Sequence, residues 1–198
     1  MLEILNKIIS NILTALYQPF WFSILAAILL MFLWLYAREH GWKEVFLIWI
    51  RTFKTSASFR KLFLLFFYMV MILMRTLLNR NMWANPVSDV MGGWTLYNSK
   101  GELTAESIEN LILTIPFTVL LFWSLKDRVL EKVTIGRTLW AGLKYAFLLS
   151  VGIEFLQLFL RLGTFQLADI VYNTLGGGIG GLVYYIGDRI CMKMSSTF

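Results

Sequence analysis

The sequence predicts an all-α integral membrane protein with five transmembrane helices, and three observations predict this fold class. Hydrophobic residues make up 58% of the 198 residues and charged residues only 15%, whereas soluble domains carry about 25% charged residues. The hydrophobic residues form long uncharged runs, which a helix that crosses a bilayer requires. The Lys and Arg residues lie mostly between those runs, a distribution that is typical of the loops of membrane proteins. The net charge of +6 is therefore attributed to these loops, and no nucleic-acid partner is predicted.

The N-terminal region contains an amphipathic segment followed by the first predicted span. In residues 2–16, apolar side chains recur at helical spacing on one face and polar side chains fill the other. This pattern predicts a helix in the membrane interface; an extension of the first span is the open alternative. The first span covers residues 19–36, which contain no charge and are edged by Trp21, Trp34 and Tyr36, as interfacial aromatic residues should be.

A basic stretch separates the first span from the second. Residues 38–61 hold six Lys and Arg residues. Their uncharged run, residues 45–50, is too short to cross a bilayer and is therefore predicted to lie on the membrane surface. The second span covers residues 62–78 and contains Arg75, and a long polar loop over residues 79–107 follows it.

Three further apolar runs complete the predicted membrane region. The third span covers residues 108–125, the fourth covers residues 139–160, and the fifth covers residues 170–186 and is rich in glycine. These elements divide the chain into an N-terminal part with the interfacial helix, first span and basic loop, a four-span domain, and a tail. The predicted boundaries are residues 1–58, 59–190 and 191–198.

The distribution of basic residues predicts the orientation of the spans. Twelve of the eighteen Lys and Arg residues fall on one side of the predicted membrane and four on the other. The richer side is expected to be cytoplasmic. The N-terminus is therefore predicted to lie outside the cell and the C-terminus in the cytoplasm.

Polar side chains recur near the predicted outer ends of four spans. Ionisable groups inside a span are costly, so they mark a binding site or a need for pairing. Arg75 is predicted to pair with Glu154 or Asp169, and Arg161 is predicted to face the outer surface and pair with Asp169. The predicted ligand-binding or polar network consists of Arg75, Asn110, Glu154, Gln157, Arg161, Asp169 and Asn173.

The glycines of the fifth span have a different predicted role. Gly176 and Gly180, and Gly177 and Gly181, form small-xxx-small pairs that let helices approach closely. This glycine run lacks the lysine of a P-loop, so it is not predicted to bind phosphate. With one His and one Cys, the chain offers no His/Cys metal cluster, and the sequence predicts no metal and no cofactor.

The polar blocks resemble those of the VanZ-like family of bacterial membrane proteins. The resemblance covers about residues 60–187. The matching blocks are Arg75-Thr76, Asn85-Pro86, Asn110 through Pro116-Phe117, Ser150-x-x-x-Glu154-x-x-Gln157, and Asp169-x-x-x-Asn173-Thr-Leu-Gly176-Gly177 continuing to Gly180.

The resemblance implies a multi-pass protein of the bacterial plasma membrane. The founding member of the family is associated with low-level resistance to the glycopeptide teicoplanin. The resemblance therefore predicts that the outward polar site binds or modulates an envelope component and so contributes to glycopeptide or lipoglycopeptide resistance. The expected partners are membrane lipids and either a cell-wall precursor or a lipoglycopeptide.

Three other functions stay open at this point. The chain could be a membrane enzyme that acts on an envelope lipid, with Glu154 and Asp169 as acid and base; the absence of a nucleophile or cofactor motif favours a non-enzyme without deciding the matter. It could be a transporter, although no inverted repeat is visible, and a homo-oligomer could form the path. The polar cluster could also serve only to lock four helices together.

Overall fold

The computed structural model describes residues 29, 31–78, 85–94 and 106–195, and the regular elements in these ranges are helices. The all-helical fold class is thus confirmed. The predicted interfacial helix, residues 2–16, and most of the first predicted span lie outside the described residues. The five-span topology and its orientation stay predictions.

The chain separates into two compact units, residues 1–60 and residues 61–198. In the first unit, helix α1 includes residues 31–40 and helix α2 covers Trp42–Thr55. Gly41 separates them at φ 80, a conformation that glycine adopts without steric cost. The 14 residues of α2 rise about 21 Å, which is short of a hydrocarbon core of about 30 Å. No residue of α2 is buried.

The second unit contains four long helices. Helix α3 covers Ala57–Leu73, begins in the first unit, and continues into a π-helical turn, Met74–Leu78. Helices α4, α5 and α6 cover Glu106–Val129, Ile135–Leu160 and Leu167–Ser195.

Three helical segments among the described residues are long and apolar enough to cross a membrane. They are Ala57–Leu77, Ser107–Val129 and Ile135–Leu160. They correspond to the second, third and fourth predicted spans. The fifth predicted span lies within α6, which is long enough but carries six glycines and several charged residues, so its crossing of the membrane stays a prediction. Helix α6 also continues through Cys191 into the segment predicted to be a tail.

Helix α6 packs against both α4 and α5, whereas α4 and α5 touch each other little. Two glycine faces make this possible. A Cβ atom added at Gly180 would lie 2.6 Å from the carbonyl oxygen of Ile115 in α4, and one added at Gly177 would lie 2.5 Å from that of Gly142 in α5. These approaches are too close for any side chain, so the glycines set the spacing of the three helices.

The same glycine spacing repeats one turn away on each face. A Cβ atom at Gly176 would meet the Leu111 carbonyl oxygen of α4, and one at Gly181 would meet the Thr138 carbonyl oxygen of α5. The apolar core beside these contacts joins α3, α4 and α5. Its buried members include Leu65, Ile72, Phe117, Phe122 and Ile153.

Candidate intramembrane polar site

One end of the second unit gathers most of the predicted site residues, and we call it the polar end. It comprises the π-helical turn after α3, the start of α4, the end of α5 and the start of α6. Two hydrogen bonds bring these ends together: Gln157 Nε2 donates to the Thr76 carbonyl at 2.7 Å, and Thr114 Oγ1 donates to the Asn173 carbonyl at 2.6 Å. The opposite end, called the basic end, contains Lys126, Arg137 and Arg189.

The π-helical turn supplies the first side chain of the polar end. A π turn leaves the regular i→i−4 pattern and is frequent at functional sites. Here the carbonyl of Thr76 is satisfied by the Gln157 side chain from α5, while the Thr76 hydroxyl donates to the Ile72 carbonyl at 2.8 Å. The turn is therefore held by α5, and the neighbouring Arg75 is presented beside α4.

Arg75 contacts a different carboxylate from the two that were predicted. Its guanidinium donates to Glu109 of α4, and both side chains are about half exposed, at 49% and 50%. The expected pairing with Glu154 or Asp169 is therefore corrected. The reason is the rotation of each helix about its own axis: Glu109 lies on the exposed side of α4, whereas Glu154 and Asp169 are buried.

The two predicted carboxylates are both buried. Glu154 is 2% exposed and Asp169 is 6% exposed. Glu154 Oε2 accepts a hydrogen bond from the backbone N–H of Gln166 at 3.0 Å. Asp169 lies in the first turn of α6, where the partial positive charge of the helix N-terminus favours a carboxylate. The polar end thus holds two interior acids near the ends of two adjacent helices.

A short segment, residues 85–94, covers this end, and we call it the cap segment. The carbonyls of Pro86 and Val90 accept hydrogen bonds from the N–H groups of Phe165 and Leu167, at 2.8 and 3.1 Å. Both donors belong to the α5–α6 connection and the first residue of α6. The cap segment therefore docks through its backbone on the connection that lies over Glu154.

Gln166 joins the cap segment to the buried carboxylate. Its backbone N–H reaches Glu154, and its side-chain Nε2 donates to Asp89 Oδ2 of the cap segment at 2.8 Å. A Cβ atom at Gly93, which has φ 79, would lie 2.8 Å from Gln166 Oε1. Sequence reasoning missed Gln166 and Asp89 because both lie in loops, where no periodicity assigns a face. Glu109 was visible as an opposite charge at the same depth as Arg75.

Two buried amides lie on α4 and α6: Asn110 follows Glu109, and Asn173 lies four residues after Asp169. Asn173 Nδ2 donates to the Ser150 hydroxyl at 2.9 Å. Its Oδ1 atom and the Nδ2 atom of Asn110 have no hydrogen-bond partner among the described residues, and both side chains are more than nine-tenths buried. An unpaired buried polar group costs about 1–3 kcal/mol. Asn110 Nδ2 is therefore a buried donor, and Asn173 Oδ1 a buried acceptor, that no described group satisfies.

Arg161 stands apart from this network. It ends α5 in the left-handed conformation, with φ 54 and ψ 38, and its side chain is exposed. It forms no ion pair within the part of the chain that the structure describes, so the predicted pairing with Asp169 is not what the structure presents. Among the same residues, no group of three His, Cys, Asp or Glu side chains is arranged to bind a metal.

These features define an all-helical membrane protein in which buried polar groups are collected at one end of apolar helices. A family model described as VanZ/LLP1 matches residues 4–188. The chain therefore belongs to the VanZ/LLP1 family, which confirms the resemblance read from the polar blocks. The match begins far upstream of residue 60, so the N-terminal part also belongs to the family pattern. No curated protein and no solved structure matches the chain significantly.

Proposed function

We propose that this chain is an envelope membrane protein that binds a polar, anionic envelope component at its polar end and thereby contributes to teicoplanin-type glycopeptide resistance. The observation that carries the proposal is that two buried amide atoms, Asn110 Nδ2 and Asn173 Oδ1, have no hydrogen-bond partner among the residues that the structure describes. A donor and an acceptor buried without partners destabilise the fold, and a ligand that bonds both removes that cost. Family membership supports the envelope setting.

The charges of the polar end favour an anionic ligand. Arg75 is half exposed beside Glu109, so an incoming phosphate or carboxylate has access to its guanidinium, which suits planar bidentate recognition. Arg161 adds an exposed cation at the end of α5. The ligand that fits this arrangement has an anionic group at the membrane surface and a polar group that reaches the buried amides. Cell-wall lipid precursors and lipoglycopeptides both have this character.

The cap segment supports an entry route for such a ligand. It is attached to the α5–α6 connection by two backbone hydrogen bonds and the Gln166–Asp89 contact. Asp89 is itself exposed, so this last contact competes with water. Opening of the cap segment would expose Glu154 and the amides together.

The test uses a substitution that separates ligand binding from folding. Asn110→Leu replaces an unpartnered donor with an apolar side chain of similar size, so we expect folded yield to stay level or rise. If the site binds a ligand, teicoplanin resistance of a susceptible bacterial host that expresses the variant falls to the level of the empty host. Lys132→Gln, which removes an exposed charge at the basic end, is the matched control and leaves resistance unchanged.

Two outcomes contradict the proposal. Full resistance in Asn110→Leu removes the buried amides from the binding role. Loss of folded yield in parallel with loss of resistance assigns the polar end to helix locking alone.

An enzyme is the second candidate, and the burial of Glu154 and Asp169 favours it. Two interior carboxylates suffice for acid and base catalysis on an envelope lipid. Glu154→Gln keeps the shape and an acceptor for the Gln166 N–H. The test is whether the purified chain converts a labelled envelope lipid. Conversion that Glu154→Gln abolishes would favour the enzyme over the binding protein, whereas binding without conversion would favour the binding protein.

A further inference from the structure

The basic end contains an open cleft that the proposed function does not use. It has a volume of about 260 Å³ and is lined in part by Leu130, Glu131, Arg137, Trp140, Lys144 and Tyr145. These residues belong to the α4–α5 connection and the first turns of α5. Arg137 and Glu154 are 17 positions apart along α5, which corresponds to about 26 Å. The cleft and the polar end are therefore separate sites.

Three of the lining side chains share one face of α5. Arg137, Trp140 and Lys144 follow each other at spacings of three and four, which places them in one row along the helix. Side chains on a helix lean toward its N-terminus, and the N-terminus of α5 lies at the basic end. A Lys144 side chain that leans in this direction points toward the Arg137 end of the helix, and Lys144 lines the cleft together with Trp140 and Arg137.

Among the cations named at this end, Lys144 is the one that lies well inside a candidate span without a carboxylate partner among the described residues. It lies nine residues inside α5, within the candidate span Ile135–Leu160, on an exposed face. In the described residues its ammonium lies 5.7 Å from the Tyr145 ring centroid and contacts no carboxylate. An ammonium on the lipid-facing side of a span is stable only where it reaches headgroups or an anion.

The other charges leave the cleft positive. Arg137 pairs with Glu131, whose side chain is 84% exposed, so the Glu131 carboxylate neutralises one of the two cations and Lys144 keeps its charge. Trp140 is 71% exposed, and an indole at this position is typical of the headgroup level of a membrane. A lysine without a carboxylate partner, next to an arginine and an interfacial Trp on a spanning helix, favours an anionic lipid headgroup.

From this placement we propose that the cleft is a binding site for the phosphate of an anionic phospholipid, held between Lys144 and Arg137 while the acyl chains lie along α5 beside Trp140. The volume agrees, since it is smaller than the ~300–1,000 Å³ typical of pockets that enclose drug-sized ligands. A headgroup fits there, and the chains need no enclosure because Trp140 and Lys144 lie on an exposed face of α5.

The experiment measures lipid retained on the purified full-length chain by native mass spectrometry, after reconstitution with equal amounts of phosphatidylglycerol and phosphatidylcholine. We expect phosphatidylglycerol to be retained in preference, and Lys144→Met to lower its retention about fivefold, since a basic residue near the headgroups contributes about that factor. Lys144→Arg should preserve retention. Lys132→Gln, an exposed cation in the same connection that does not line the cleft, is the control and should not change it.

Arg137→Gln is the second variant, and it should lower retention independently of Lys144→Met. Equal retention of the two lipids overturns the proposal, and so does a Lys144→Met variant that behaves like Lys132→Gln. Excess inorganic phosphate decides the source of the anion. If phosphate does not change the retention of phosphatidylglycerol, the cleft is a lipid site. If phosphate displaces phosphatidylglycerol, the cleft binds a soluble anion and the proposal of a lipid site is overturned.

Discussion

The polar end and the basic end of the second unit differ in how far their charged groups are exposed to solvent. At the polar end, Glu154 is buried and accepts a bond from a backbone N–H. At the basic end, Arg137 and Glu131 pair in the open, and Arg189 donates to the Val133 carbonyl at 3.3 Å from an exposed position. Desolvated polar groups need partners inside the protein, whereas exposed groups have water.

This difference indicates where sequence changes should matter. Burial makes the contacts of Glu154 and Asn173 at the polar end sensitive, because the loss of either leaves a group without solvent. Exposure makes single ion pairs of the basic end weak, because water and salt screen them. Lys126 is an intermediate case: it donates to Asp188 at 3.0 Å, but the Asp188 side chain is only 14% exposed.

The largest effect is expected from a change that disturbs both ends together. Gly177→Leu places a side chain against the Gly142 carbonyl and the Ala146 methyl group, which forces α5 away from α6. We expect little folded protein, measured as monodisperse yield in detergent. Gly187→Leu, on the same helix but with nothing within 4 Å of an added Cβ atom, is the control and should fold normally. Equal yields would show that α6 does not set the helix spacing.

A pair of glutamates compares the two ends directly. Glu154→Ala leaves the Gln166 N–H buried without an acceptor, so we expect the free energy of unfolding to fall by about 1–3 kcal/mol. Glu131→Ala removes a carboxylate that is 84% exposed, and the expected change is within ~0.5 kcal/mol. Unfolding in mixed detergent reports both values. A loss for Glu131→Ala as large as that for Glu154→Ala would abolish the distinction between the ends.

A smaller effect than that of Glu154→Ala is expected at Arg161, and its sign is the reverse. A non-glycine residue in the left-handed region costs about 1–2 kcal/mol, and glycine is the preferred residue after a helix end. Arg161→Gly should therefore raise the free energy of unfolding by about 1 kcal/mol. If Arg161 also attracts the ligand, the same variant is more stable and less resistant to teicoplanin. Reduced stability would mean that the arginine side chain makes a contact worth more than the backbone strain.

Much of the architecture was predictable from local pattern. Hydropathy located the helices that contain the second, third and fourth spans, because transfer from water to lipid depends on the composition of a single segment. The short run at residues 45–50 falls in α2, which has no buried residue, and its location on the membrane surface stays a prediction. The antiparallel order of the spans predicted a common level for Asn110, Glu154 and Asn173, and their depth in a membrane stays a prediction.

The partners of these side chains were not predictable in the same way. Arg75 contacts Glu109 because of how α3 and α4 are rotated about their axes, and a sequence does not state that rotation. Gln166 and Asp89 meet through two loops that lack periodicity. The left-handed conformation of Arg161 is visible only in the backbone of the folded chain.

By itself, the sequence determined the helical fold class, the apolar segments and the family, because each depends on composition and spacing along one chain segment. Only the tertiary structure decided which groups are paired, which two amide atoms have no partner among the described residues, and which glycine face meets which helix. Those outcomes depend on the relative rotation and distance of helices, which are set by packing of the whole unit.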